Sequence, residues 1–170
     1  LITMATLRDG DEIADPARPP IEPVVCVGRV AWHEVLPDGR YNLRLRGVGR
    51  ARVLNELDAP TAYRQARVEL IPDTAPDDLA RLTQLRRDLA AAVLPRFADE
   101  PGTRRQLAEL FDGDDPLGRV CDLLAYALPL PGELKLSLLA EGDAARRATA
   151  IAAALRLAAA RADRPFPPPF

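Results

Sequence analysis

The hydrophobic period of this chain changes once, near residue 75, and that single change limits the folds open to it. Before it, short runs alternate apolar and polar residues. Val24-Val25-Cys26-Val27 leads into residues 29–36, followed by Tyr41-Asn42-Leu43-Arg44-Leu45-Arg46, residues 50–54 and residues 63–70. A period of two is that of a strand with one face buried. Pro37-Asp38-Gly39-Arg40 reads as a turn, because Pro presets φ and Gly accepts φ > 0, and Gly47-Val48-Gly49 reads as a second turn or bulge. Short strands joined by tight turns predict an antiparallel meander that closes on itself as a small barrel. Trp32 and Tyr41 sit on apolar faces and are expected to fill its core.

After residue 75 the period is helical. Thr74-Ala75-Pro76-Asp77 has the spacing of a capping box, and Leu79, Leu82, Leu85, Leu89 and Val93 form one apolar stripe that Pro95 ends. A second helix is expected from Asp115-Pro116 through Leu117, Val120, Cys121, Leu124 and Leu128 to Pro129. A third opens at Pro131 and is closed by Gly142; Asp143 caps a fourth containing Ile151 and Leu155. Three segments follow: a β subdomain over 1–74, a helical subdomain over 75–164, and a Pro-rich tail over 165–170 that reads as polyproline II.

Composition narrows the function. With 23 basic and 25 acidic residues in 170, the net charge is −2, and it is balanced in both halves. Neither half is basic enough to advertise nucleic acid or an anionic membrane. Charges interrupt every apolar run, so no membrane span is expected. Leu1-Ile2-Thr3-Met4 has no basic segment leading into an apolar one, and two cysteines, Cys26 and Cys121, suggest a reducing compartment. The expected setting is the cytoplasm.

Catalytic chemistry finds little to work with. The only lysine, Lys135, lies in Gly132-Glu133-Leu134-Lys135-Leu136-Ser137, which lacks the glycine spacing of a phosphate-cradling loop. Ser137 is the only serine, and Lys135 is two residues before it. On a helix that spacing points the two side chains about 200° apart, so they form no Ser-Lys dyad. His33 is the only histidine, and on its strand it alternates out of phase with Cys26, Val30 and Trp32. Asp77/Asp78 and Asp114/Asp115 sit at expected helix starts, where free amides favour carboxylates without any catalytic role. No catalytic residue, cofactor site or metal site is expected.

Two features remain as binding surfaces. Arg44, Arg46, Arg50 and Arg52 share one face of a hairpin if its turn lies at residues 47–49. That face would suit an anion or RNA, or else simply be solvated beside Glu34, Glu56 or Glu69. Tyr63 shares a face with Gln65, Arg67 and Glu69, and is a candidate contact residue.

Residues 24–73 also carry a resemblance. The run Val27-Gly28-Arg29-Val30-x-x-His33-Glu34-x-Leu36-Pro37-Asp38-Gly39-Arg40-Tyr41-Asn42-Leu43 continues with Leu45-Arg46-Gly47-x-x-Arg50-Ala51-Arg52-Val53 and Tyr63-Arg64-x-Ala66-Arg67-Val68-Glu69. It resembles the N-terminal, substrate-binding domain of the Lon protease, above all the stand-alone bacterial proteins made of that domain. Residues 128–140 resemble the family's Pro-x-Glu-Lys-x-x-Leu-Leu segment, with Leu134 inserted between Glu133 and Lys135.

The resemblance implies an α+β fold, a PUA-like antiparallel β pseudo-barrel followed by a helical bundle. It implies a module that recognises unfolded or partly extended polypeptides, with a protease or chaperone as a further partner, and does not cut them. Nucleic acid and membrane are not expected partners. In the family, the run from Leu1 to Leu7 is preceded by further strands with a Pro-Leu-Phe-Pro-Leu-like opening. The expectation is therefore a barrel missing its first strands, with an edge prone to pairing or aggregation.

Overall fold

The computed structural model describes residues 1–8 and 18–162. The expected polyproline tail over 165–170 lies outside them. The chain divides into two compact units, Leu1–Pro72 and the remainder from Asp73 on.

The first unit is one antiparallel sheet in the order β1 (Ile2–Met4), β2 (Val24–Val35), β3 (Tyr41–Leu57), β4 (Gln65–Ile71). β2 and β3 are joined by the expected turn. Gly39 takes φ 82°, and Leu36 N–H donates to the Arg40 carbonyl at 2.7 Å. Asp38 accepts from Arg40 Nε at 2.7 Å and from its backbone N–H at 3.1 Å, and these bonds hold the Asp38 carboxyl below its ordinary pKa. The core of the unit is small: Val25, Val27 and Ala51, with Val53 and Val68 packed against them. Among the described residues β1 and β4 are the two edges of the sheet, and no ladder joins them.

Two expectations for this unit are corrected and one alternative is decided. Residues 47–49 form the bulge and not the turn, because β3 runs unbroken through them. Gly47 pairs with Gly28 and Gly49 with Val27, so Val48 is an extra residue, a bulge. Trp32 and Tyr41 do not fill a core; they are 48% and 58% exposed. A second bulge at Ala31 brings Val30 opposite Leu45 and His33 opposite Leu43, so Val30 and His33 share a face, contrary to the simple alternation.

The second unit is helical: α1 (Leu79–Val93), a 3-10 turn (Leu94–Phe97), α2 (Pro101–Asp112), α3 (Leu117–Ala127), α4 (Gly132–Ala140) and α5 (Ala144–Ala162). Its core joins Leu89 and Val93 of α1, Phe111 of α2, Val120 and Leu124 of α3, Leu138 of α4, and Ile151 and Leu155 of α5. The N-cap of α1 is Asp78, which accepts from Ala80 N–H at 2.9 Å, and not the expected Thr74 box. Thr74 instead pairs with the α4–α5 loop: its N–H donates to the Gly142 carbonyl, and its own carbonyl accepts from Ala144 N–H. Leu79 is exposed, so the α1 stripe starts at Leu82. Asp143 caps α5 as expected, accepting from Ala145 N–H at 2.8 Å. α2 was not foreseen, although Pro101 at its start and Leu107, Leu110 and Phe111 at helical spacing carry its signal.

Arg147 of α5 ties the helices together from inside. It is 1% exposed and donates to Asp122 of α3 at 2.6 Å and to Asp73 at 2.8 Å. Gly118 of α3 makes room for this arrangement. A Cβ there would overlap Asp73 Oδ2 and lie 2.7 Å from Arg147 Nη2.

Candidate functional site

β2 and β3 are longer than their neighbours, and the excess defines the site. β1 pairs only with residues 26–28 of β2, and β4 only with residues 50–57 of β3. Residues 29–35 and 41–49 therefore form a two-stranded ribbon whose outer edges have no strand partner among the described residues. Each such edge presents a row of backbone N–H and C=O groups able to accept another strand.

The two faces of the ribbon follow from the pairing, since directly opposed residues share a face. One face carries Val30, Leu45, His33, Leu43, Val35 and Tyr41. The His33 and Tyr41 rings lie 6.2 Å apart on it, and all but the half-buried Leu45 are exposed. The other face carries Arg29 opposite Arg46, Trp32 opposite Arg44 and Glu34 opposite Asn42. Two side-chain contacts agree: Arg44 lies over the Trp32 ring at 5.8 Å, and Asn42 Nδ2 donates to Glu34 at 3.4 Å.

The Val48 bulge explains why apolar groups stand outside. In the sequence, Tyr41, Leu43, Leu45, Ala51 and Val53 all hold odd positions and would make one continuous stripe. One extra residue reverses the phase. Ala51 and Val53 therefore face the core, while Tyr41, Leu43 and Leu45 fall on the opposite face. The same reversal splits the expected arginine face. Arg44 and Arg46 lie on one side and Arg50 and Arg52 on the other, with Arg50 only 6% exposed. Tyr63 is 68% exposed, in the bend before β4 rather than on the strand with Gln65. Close by, Arg64 binds Glu56 through both carboxylate oxygens, which lowers the Glu56 pKa and raises that of Arg64.

The helical unit has a groove of about 480 Å³ beside α1 and α2, with Leu82, Ala90 and Phe111 in its lining. Of the two arginines in its lining, Arg86 donates to the carbonyls of Leu110 and Phe111 at the end of α2 and of Asp115 beyond it. Ser137 is exposed on α4, and its hydroxyl donates to the Leu134 carbonyl at 2.8 Å. Among the described residues, no three His, Cys, Asp or Glu side chains come together as a metal site. No described helix is long and apolar enough to cross a membrane.

Comparison with known proteins fits an α+β chain of this order. The family model of the ATP-dependent protease La (LON) substrate-binding domain matches residues 1–156. The chain belongs to the Lon substrate-binding domain family. A Lon protease from Paraburkholderia phytofirmans is 27% identical over 147 residues, which are 83% of this chain and 17% of that protein. The chain thus spans under a fifth of that relative's length. The N-terminal domain of Mycobacterium avium complex Lon protease superposes with a TM-score of 0.60 at 16% identity, covering 91% of this chain and 90% of that one. That likeness shows a Lon N-terminal fold. A Lon N-terminal domain protein from Xanthomonas campestris matches at 23% identity and a TM-score of 0.45, covering 96% of this chain and 89% of its own.

Proposed function

We propose that this Lon-type domain is a non-catalytic polypeptide-recognition module and that the β2–β3 ribbon is its contact surface. The observation that carries the reading is the apolar face of the ribbon, turned away from the core by the Val48 bulge and flanked by unpaired strand edges. An edge supplies backbone hydrogen bonds that any extended polypeptide can make, and the apolar face adds affinity without demanding one sequence. Folded proteins present few unpaired extended segments, so the surface selects for unfolded ones. Tyr63, exposed in the bend before β4, is proposed as a second contact. A cytoplasmic setting, with a protease or chaperone to receive the bound chain, belongs to the same proposal.

The test is fluorescence anisotropy with a labelled, permanently unfolded protein, with and without ATP. Binding without cleavage is expected under both conditions. The double variant Tyr41→Ser/Leu43→Ser should weaken binding about tenfold, as the loss of two exposed apolar anchors implies. Tyr63→Ala should have a smaller effect. Cleavage abolished by Ser137→Ala, or wild-type affinity in the double variant, would overturn the reading. The rival, an RNA- or anion-binding barrel using Arg44, Arg46, Arg50 and Arg52 together, gains no support from a sheet that divides those residues between two faces.

A further inference from the structure

We infer that the occupant of the ribbon is an extended segment in which acidic and apolar residues alternate, docked as an added strand on the free edge of β3. The inference rests on the polypeptide-binding reading above and specifies its substrate class. Along residues 41–46 of β3, side chains alternate between the two faces. Tyr41, Leu43 and Leu45 lie on the apolar face, and Arg44 and Arg46 on the other, where Arg29 and Trp32 of β2 join them. A strand paired to this edge places its own alternate side chains beside these two rows, about 4.8 Å away. Its residues on one face meet tyrosine and leucines. Those on the other meet guanidinium groups.

Charge complementarity selects the acidic member. Arg29, Arg44 and Arg46 are exposed, and none is within ion-pair distance of a carboxylate among the described residues. The one carboxylate on this face, Glu34, is bonded to Asn42. Arg29 and Arg46 stand directly opposite each other, an arrangement of like charges that destabilises a sheet. An incoming carboxylate relieves that repulsion. Trp32 lies under Arg44 and helps hold its guanidinium over the face. A polypeptide fits better than RNA. The cations are few, Arg44 and Arg46 on β3 and Arg29 across the ladder on β2; the face opposite is apolar, and the chain as a whole carries a net charge of −2.

Four labelled peptides of equal length distinguish the outcomes: alternating Glu/Val, the same composition scrambled, alternating Lys/Val, and alternating Ser/Val. A single-stranded RNA of similar length is the fifth probe. The alternating Glu/Val peptide should bind about tenfold tighter than the Ser/Val peptide, the sum of two or three exposed ion pairs, and the margin should shrink in high salt. The scrambled and Lys/Val peptides should bind more weakly than Ser/Val. Arg29→Ser/Arg44→Ser/Arg46→Ser should abolish the preference, so that this variant binds Glu/Val and Ser/Val alike; Arg29→Lys/Arg44→Lys/Arg46→Lys should retain it. Ser/Val and Glu/Val binding alike, both weakened by Tyr41→Ser/Leu43→Ser, overturns this inference and leaves the polypeptide-binding reading standing. No binding by any peptide overturns both. RNA bound tighter than Glu/Val, and lost in the triple Ser variant, overturns the inference in favour of nucleic acid.

Discussion

The two units of this chain bury their apolar side chains to very different degrees. The helical unit packs residues from all five helices into one core, in which Leu89, Val93, Val120 and Ile151 are fully enclosed. Among the described residues the sheet unit encloses just Val24, Val25, Val27 and Ala51 and leaves Trp32, Val35, Tyr41, Leu43 and Val48 in contact with solvent. Burial of apolar area is the main favourable term in folding, so the stability of the helical unit rests on its interior. In the sheet unit much of the same chemistry is held outside, and under the proposed function that exposed chemistry is the recognition surface. The contrast between the units can be attacked at several points.

The largest effect is expected in the helical core. Leu89→Ala or Ile151→Ala should destabilise that unit by about 3 kcal/mol, whereas Val27→Ala in the sheet should cost about 1–2 kcal/mol. Hydrogen exchange resolved by segment gives both numbers in one experiment. Equal losses would remove the contrast between the units.

Next comes the buried Arg147. Gly118→Ala drives a methyl group into the Asp73–Arg147 pair and should cost about 2 kcal/mol through overpacking. Asp122→Asn should cost a similar amount, because it leaves the enclosed guanidinium with one carboxylate fewer. Denaturant titration should show both losses in the helical unit. A neutral result for Gly118→Ala would mean that the packing around Asp73 is looser than described.

A smaller effect belongs to the Glu56–Arg64 pair in the sheet unit. The hydrogen bonds from Arg64 hold the Glu56 carboxyl below the usual carboxylate range. A carboxylate whose folded pKa is depressed stabilises the fold above its unfolded pKa and loses that contribution as pH falls through the folded value. The pair is partly solvated, so Glu56→Gln should cost under about 1 kcal/mol at neutral pH. The wild-type advantage over the variant should shrink as pH falls below the ordinary carboxylate range and vanish once the folded Glu56 carboxyl is protonated. Thermal melts of both proteins across that range provide the check, and an advantage that persists in acid would contradict it.

The smallest stability change is expected where binding changes most. Tyr41→Ser/Leu43→Ser should alter the unfolding free energy by no more than about 0.5 kcal/mol, since neither side chain is enclosed. A loss of several kcal/mol would place these residues in a core and end the comparison with the helical unit.

Much of this could be read locally. The turn at residues 37–40 follows from Pro and Gly chemistry, and the Asp143 cap and the Leu82–Val93 stripe follow from helix physics. The errors share a cause. Gly47-Val48-Gly49 signals a break in the regular strand, yet nothing within those residues says whether the chain reverses or bulges. That depends on whether residues 50–57 find partners in β2 and β4 while remaining continuous with 41–46. α2 is masked in the sequence by Pro95 and Pro101, which would break a helix in its interior, although Pro is well suited to a first helical turn.

The sequence by itself determined the change from strand to helix near residue 75, the hairpin turn and the capping of α5, because each depends on groups a few residues apart. Only the tertiary structure decided which way the apolar residues of the sheet face. The alternation of Tyr41, Leu43, Leu45, Ala51 and Val53 is uniform in the sequence. A face exists only once a strand is paired, and a single unpaired residue at Val48 sends half of that stripe inward and half outward. The enclosure of Arg147 is of the same kind: it depends on Asp73, 74 positions away, and on the missing side chain of Gly118.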